Sequence, residues 1–81
     1  MPRVKGDICR IHWVDPETDG GWFEEGETPD LEVVTSVGIF IKEDERTLWF
    51  ASSYHAGTKS FADRMTYPKG VILHVETIGK V

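Results

Sequence analysis

Residues 31–42 read LEVVTSVGIFIK, and the period of this stretch decides the fold class. Leu31, Val33, Val37, Ile39 and Ile41 fall on one face of an extended segment. Glu32, Val34, Ser36, Gly38 and Phe40 fall on the other, because successive side chains of a strand point to opposite sides. The β-branched and aromatic residues suit a pleated surface. Gly38, in the middle, marks a bend, a bulge or a close backbone approach.

The same period of two continues outward in both directions. Residues 5–14, KGDICRIHWV, alternate Cys9, Ile11 and Trp13 against Ile8, Arg10 and His12, which predicts a strand with one drier face. On the other side, Glu43-Asp44-Glu45-Arg46 makes a polar turn into TLWFASSY, residues 47–54. There Leu48/Phe50 and Trp49/Ala51 compete for the interior. The stretch HAGTKSFAD, residues 55–63, reads as a loop, followed by a short strand near Arg64–Tyr67. Pro68-Lys69-Gly70 punctuates the chain before a last strand, VILHVETI. No window of ten or more residues reads as a helix.

Five short strands in 81 residues cannot make a two-sheet sandwich. They can curl into one strongly bent sheet that closes on itself and limits its open edges. The order of strand, long loop, strand, turn, strand, loop, strand, tight turn and strand is that of an SH3-like barrel. The expected fold is therefore all-β: a single five-stranded SH3-like domain over residues 1–81, with a long acidic first loop and a 3₁₀ turn at Pro68-Lys69-Gly70.

A pattern spread over nearly the whole chain carries a resemblance. Gly6, Asp7, Trp13 and Asp15 give G-D-x-x-x-x-x-W-x-D, Gly21-Trp22 gives G-W, and Ser36-Val37-Gly38 gives S-V-G. Pro68, Lys69, Gly70 and Ile72 complete it as P-K-G-x-I. Together these resemble a group of small proteins encoded by tailed bacteriophages. The resemblance implies a phage source and a small barrel. It supplies no catalytic residues.

Composition narrows the function classes. No stretch reaches the ~18 apolar residues of a membrane span, and Met1-Pro2-Arg3 leads into no signal-peptide run, so a cytoplasmic location is expected. The single cysteine, Cys9, agrees with a reducing compartment. Net charge is −5, and it is unevenly spread. Between Arg10 and Lys42 there are eight acids and no base, whereas the remaining chain has six acids against nine bases. An acidic segment of this kind disfavours phosphate-backbone binding and attracts a basic partner; it also keeps a solvated loop soluble.

The acidic segment contains the densest site candidates, HWVDPETDGGWFEEG at residues 12–26. Asp15-x-Glu17-x-Asp19-Gly20 follows the first half of an EF-hand loop. The twelfth position is Gly26, however, where a bidentate carboxylate belongs, and no helices flank the loop. Asp15-Pro16 and Asp19-Gly20-Gly21 are better read as two turns that carry Trp22 and Phe23 back towards the barrel. Trp22 then serves as a lid over the core, as part of a contact surface, or as both on its two faces.

The other motifs carry less. Cys9 and His12 lie three apart on a strand, point to opposite faces and cannot share an ion. His74 and Glu76 do share a face, without a further convergent ligand set. Gly57-Thr58-Lys59-Ser60 echoes the tail of a P-loop, but Ser52 stands where the first glycine belongs. No Ser or Cys comes with a His and an acid in a recognisable arrangement, so no enzymatic activity, metal or cofactor is expected. Trp49, Phe50, Tyr54, Phe61 and Tyr67 with Arg46, Lys59, Arg64 and Lys69 raise nucleic-acid binding, against the alternative that these aromatics are mostly core and the bases scattered; net charge ranks it below protein binding.

The sequence thus points to a non-enzymatic binding module. Asp15, Asp19, Trp22, Phe23, Glu24 and Glu25 would engage a basic or apolar patch on a host or phage protein. A second reading is a small-ligand or nucleotide sequestering protein using Lys59, Arg64 and Tyr67 near a subunit junction. A third is a structural component acting through self-assembly.

Overall fold

A computed structural model of the chain describes residues 2–16, 22, 24–26 and 31–81. Among these residues five antiparallel strands form one sheet: β1 (Asp7–Asp15), β2 (Glu32–Glu43), β3 (Thr47–His55), β4 (Ser60–Pro68) and β5 (Ile72–Lys80). Their order across the sheet is β4-β3-β2-β1-β5. The 3₁₀ turn expected at Pro68-Lys69-Gly70 is present as Lys69–Val71, and the Lys69 N–H donates to the Arg46 carbonyl at 2.7 Å.

The main core cluster lies on one face of this sheet, and Ile39 and Ala51 are buried on the other. Cys9 and Ile11 of β1, Phe40 of β2, Leu48 and Phe50 of β3 and Tyr67 of β4 form one buried cluster, flanked by Trp13, Met65, Ile72 and Val75. Leu48 and Phe50 therefore take the interior. Four aromatic rings run edge to face through it: Phe40 to Phe50 at 5.8 Å, Phe50 to Tyr67 at 5.9 Å and Tyr67 to Trp13 at 5.3 Å. Each such pair contributes about 0.5–1.5 kcal/mol beyond its buried area. The Trp13 indole N–H is satisfied by Ser36 Oγ at 3.0 Å.

The two faces of β2 are used against their polarity. Cys9 pairs with Gly38, Ile11 with Ser36 and Trp13 with Val34, so the face of small and polar residues looks inward. On the more apolar face Leu31, Val33 and Val37 are exposed, and only farther along, at Ile39, is that face buried. Space explains the inversion. A Cβ on Gly38 would stand 2.5 Å from Met65 Cε and 2.9 Å from Phe50 Cβ. Gly38 serves close packing, and the bulge of β2 lies farther on, between Phe40 and Lys42.

The sheet is not a closed barrel. It curls enough for Tyr67 of β4 to meet Trp13 of β1, yet the described pairings leave β4 and β5 as open edges. The stretch 55–63, expected as a loop, is a four-residue turn followed by strand. Tyr54 pairs with Phe61 and His55 with Ser60 in a register that runs through to Thr47 and Pro68. Among the described residues, no helix is long and apolar enough to cross a membrane.

Candidate functional site

The acidic-aromatic segment connects a ribbon that leaves the rest of the sheet. β5 covers β1 from Asp7 to Trp13, and β3 covers β2 only from Ile39 to Glu43. Beyond these points β1 and β2 pair with each other, ending in Val14 opposite Val33 and Asp15 opposite Glu32. Like charges directly opposite on a ladder repel. In the connection itself Trp22 is fully exposed (106% of its reference area), and Glu24, Glu25 and Gly26 are exposed as well. Trp22 is therefore no lid. Leu31 and Val33, at the start of β2, add exposed apolar surface. Asp19 and Phe23 lie outside the described residues, as does most of the EF-hand-like pattern. Among the described residues no three His, Cys, Asp or Glu side chains gather to hold a metal ion.

Lys59, Arg64 and Tyr67 do not form one site. Tyr67 is core, closed off by Phe50 and Trp13. Arg64 pairs with Ala51 and lines a separate hollow with Ile41, Lys42 and Trp49, where the Lys42 ammonium lies 4.9 Å from the Trp49 ring centre. Lys59 ends the β3–β4 turn, eight residues before Tyr67. At ~3.3 Å per residue that is roughly 26 Å of strand.

Lys59 instead joins residues that the sequence reading did not connect. With Lys5 and Lys80 it surrounds a hollow of about 390 Å³ whose wall includes Tyr54 and Phe61. Three distant segments build it. A turn from Val4 to Asp7, in which Gly6 adopts φ 98°, presents Lys5, whose ammonium lies 5.3 Å from the Phe61 ring centre. The Val81 N–H donates to the Gly6 carbonyl at 3.0 Å and anchors the end of β5. Tyr54 and Phe61, neighbours across the β3–β4 ladder, lie 5.0 Å apart. Lys59 stands at φ 54°, in the left-handed region that suits Gly or Asn. Only the strand register unites Lys5 and Lys80 with this turn.

On the outer face, Arg10, His12, Thr35, His74 and Glu76 form a cross-strand network. Arg10 donates to Glu76 Oε1 at 2.9 Å, His12 Nε2 lies 3.2 Å from the same oxygen and Thr35 Oγ1 lies 3.3 Å from His12 Nδ1. The His12 and His74 rings stack at 5.9 Å. The His12 hydrogen bond, then Arg10, holds the Glu76 carboxyl below its ordinary range. Cys9 lies on the opposite face from His12, and burial pushes its thiol up. The expectation that Cys9 and His12 cannot share an ion holds for that reason. At the other end of β2, Glu43 accepts from Lys69 at 2.9 Å and from Arg3 at 3.3 Å. Lys69 is the main cause of its lowered pKa.

No protein-family model matches the chain, and no curated protein or solved structure matches it either.

Proposed function

We infer that the protein is a non-enzymatic binding module whose β1–β2 ribbon and acidic-aromatic connection engage a basic or apolar patch on another protein. The observation that carries this reading is the full exposure of Trp22. A large aromatic held in water beside Glu24 and Glu25 gains most from a partner that covers it, and such residues dominate interface energetics. The facing carboxylates Asp15 and Glu32 favour a cationic partner, which would relieve their repulsion.

The strand order β4-β3-β2-β1-β5, with a 3₁₀ turn between β4 and β5, supports an SH3-like architecture in open form. The phage resemblance makes a host or phage protein the natural partner, met in the host cytoplasm. Affinity capture on immobilised protein tests the reading. The same identified partner should be held by wild type at low salt, lost by Trp22→Ala and weakened by Glu24→Gln/Glu25→Gln. Equal capture by all three proteins would overturn it.

A further inference from the structure

We propose that the hollow between Lys5, Lys59 and Lys80 is a binding site for a phosphorylated nucleoside unit, separate from the acidic ribbon. It lies by the Asp7–Lys80 end of β1, whereas the ribbon leaves from the Asp15–Glu32 end. Nine residues of strand hold the two about 26–30 Å apart.

Charge is the first argument. The chain carries −5 overall, yet three lysines line this one hollow. Among the described residues none of the three forms an ion pair; every described salt bridge uses Arg3, Arg10, His12 or Lys69. The lining holds no Asp or Glu, so lysines brought together here repel one another, and a bound phosphate removes that repulsion.

Backbone strain is the second. Lys59 occupies a left-handed position that Gly would hold without cost. The turn around it is fixed by the Thr58 N–H donating to His55 Nδ1 at 3.1 Å and by Thr58 Oγ1 meeting Ser60 Oγ at 2.8 Å. Strain retained in a well-determined turn points to a use for the lysine side chain.

The wall supplies the ligand's second half. Tyr54 and Phe61 give a ring surface beside the lysines, and bases stack on such surfaces whatever their identity. A volume of about 390 Å³ falls at the lower end of small-ligand pockets, which suits one nucleotide. A long strand would carry further phosphates onto a protein of net negative charge. The shared chemistry is therefore one base with one or two phosphates, from a free nucleotide or from the end of a single strand.

Calorimetry on the full chain at low salt tests this with four probes: ADP, pyrophosphate, adenosine and a hexathymidylate. ADP should bind more tightly than pyrophosphate, and pyrophosphate more tightly than adenosine. ADP should also shift the amide resonances of Gly6, Lys59 and Lys80 in a ¹⁵N-labelled sample. Hexathymidylate binding no tighter than ADP identifies the free nucleotide as the source, and tighter binding identifies a strand end; either supports the site.

Lys59→Gly should weaken ADP by about tenfold, the worth of one charge-assisted contact, while its melting temperature stays level or rises. Lys80→Gln should weaken ADP similarly, and Trp22→Ala should leave it unchanged. No binding of ADP at millimolar concentration, pyrophosphate matching ADP, or undiminished affinity in Lys59→Gly and Lys80→Gln would each overturn the proposal.

Discussion

Gly38 of β2 and Met65 of β4 meet across the core with no room for a methyl group between them: a Cβ on Gly38 would stand 2.5 Å from Met65 Cε. β3 lies between these strands in the sheet, so the contact measures how far the sheet curls. Gly38→Val should destabilise by about 1–3 kcal/mol through overpacking. Met65→Ala should not rescue it, because Phe50 Cβ, 2.9 Å from the same point, is held by its own strand. Denaturant melts of the single and double variants check this, and full rescue would place the conflict at the flexible methionine alone.

Cys9 gives a second test of the same core. Its thiol is buried, and desolvation pushes its pKa up, so little thiolate is available to react. A disulfide reagent should modify the native protein slowly and the urea-unfolded protein rapidly. Rapid modification at full native signal would contradict the burial of β1 beneath Phe40 and Phe50.

The alternation of LEVVTSVGIFIK and KGDICRIHWV was legible as strand, and Cys9 and Ile11 as its dry side, because the period of two is uninterrupted there. Burial on β2 was not legible. Polarity favours Leu31, Val33 and Val37 as the inner face, but the residues that must yield space to Trp13, Met65 and Phe50 are Ser36 and Gly38. The first part of β4 was hidden for a local reason. Asp63 adopts φ 60° and accepts from Ser52 Oγ at 3.2 Å, which interrupts the pattern between Phe61 and Met65. The candidate sites divide similarly. Asp15, Trp22, Glu24 and Glu25 are contiguous enough to be seen in the chain, whereas Lys5 and Lys80 are 75 residues apart and meet only through the β1–β5 register.

Acid should expose the two charged networks. Glu76 is held below the ordinary carboxylate range by His12 and Arg10, and Glu43 by Lys69 and Arg3. A carboxylate whose folded pKa lies below its unfolded value adds stability above the unfolded value. That stability is lost as pH falls through the folded one. The melting temperature should therefore be insensitive to these two groups from neutral pH down to about 5, then decline as they protonate. Glu43→Gln and Glu76→Gln should each lower it at pH 7 and flatten the acid decline. Both carboxylates are exposed, so each effect should be small and reduced further by salt. An unchanged acid profile in the double variant would assign the decline to other carboxylates.

Trp22 and Glu32 allow the ribbon's role in stability to be separated from its role in binding. A buried tryptophan costs about 3–5 kcal/mol on truncation. Trp22 is fully exposed, and a surface change of that kind falls within about 0.5 kcal/mol. Glu32→Gln should go the other way, raising stability by a few tenths of a kcal/mol at most, because it removes a charge facing Asp15. If the ribbon is a contact surface, both substitutions weaken partner capture although neither harms the fold. Added salt should weaken the wild type in the same direction, since exposed charges are screened within about 8–10 Å. The combination of unchanged or raised melting temperature with lost capture is the signature of residues kept for binding at no benefit to the sheet. A large loss of stability in Trp22→Ala would return the tryptophan to the core and remove the main support for the ribbon as a binding surface.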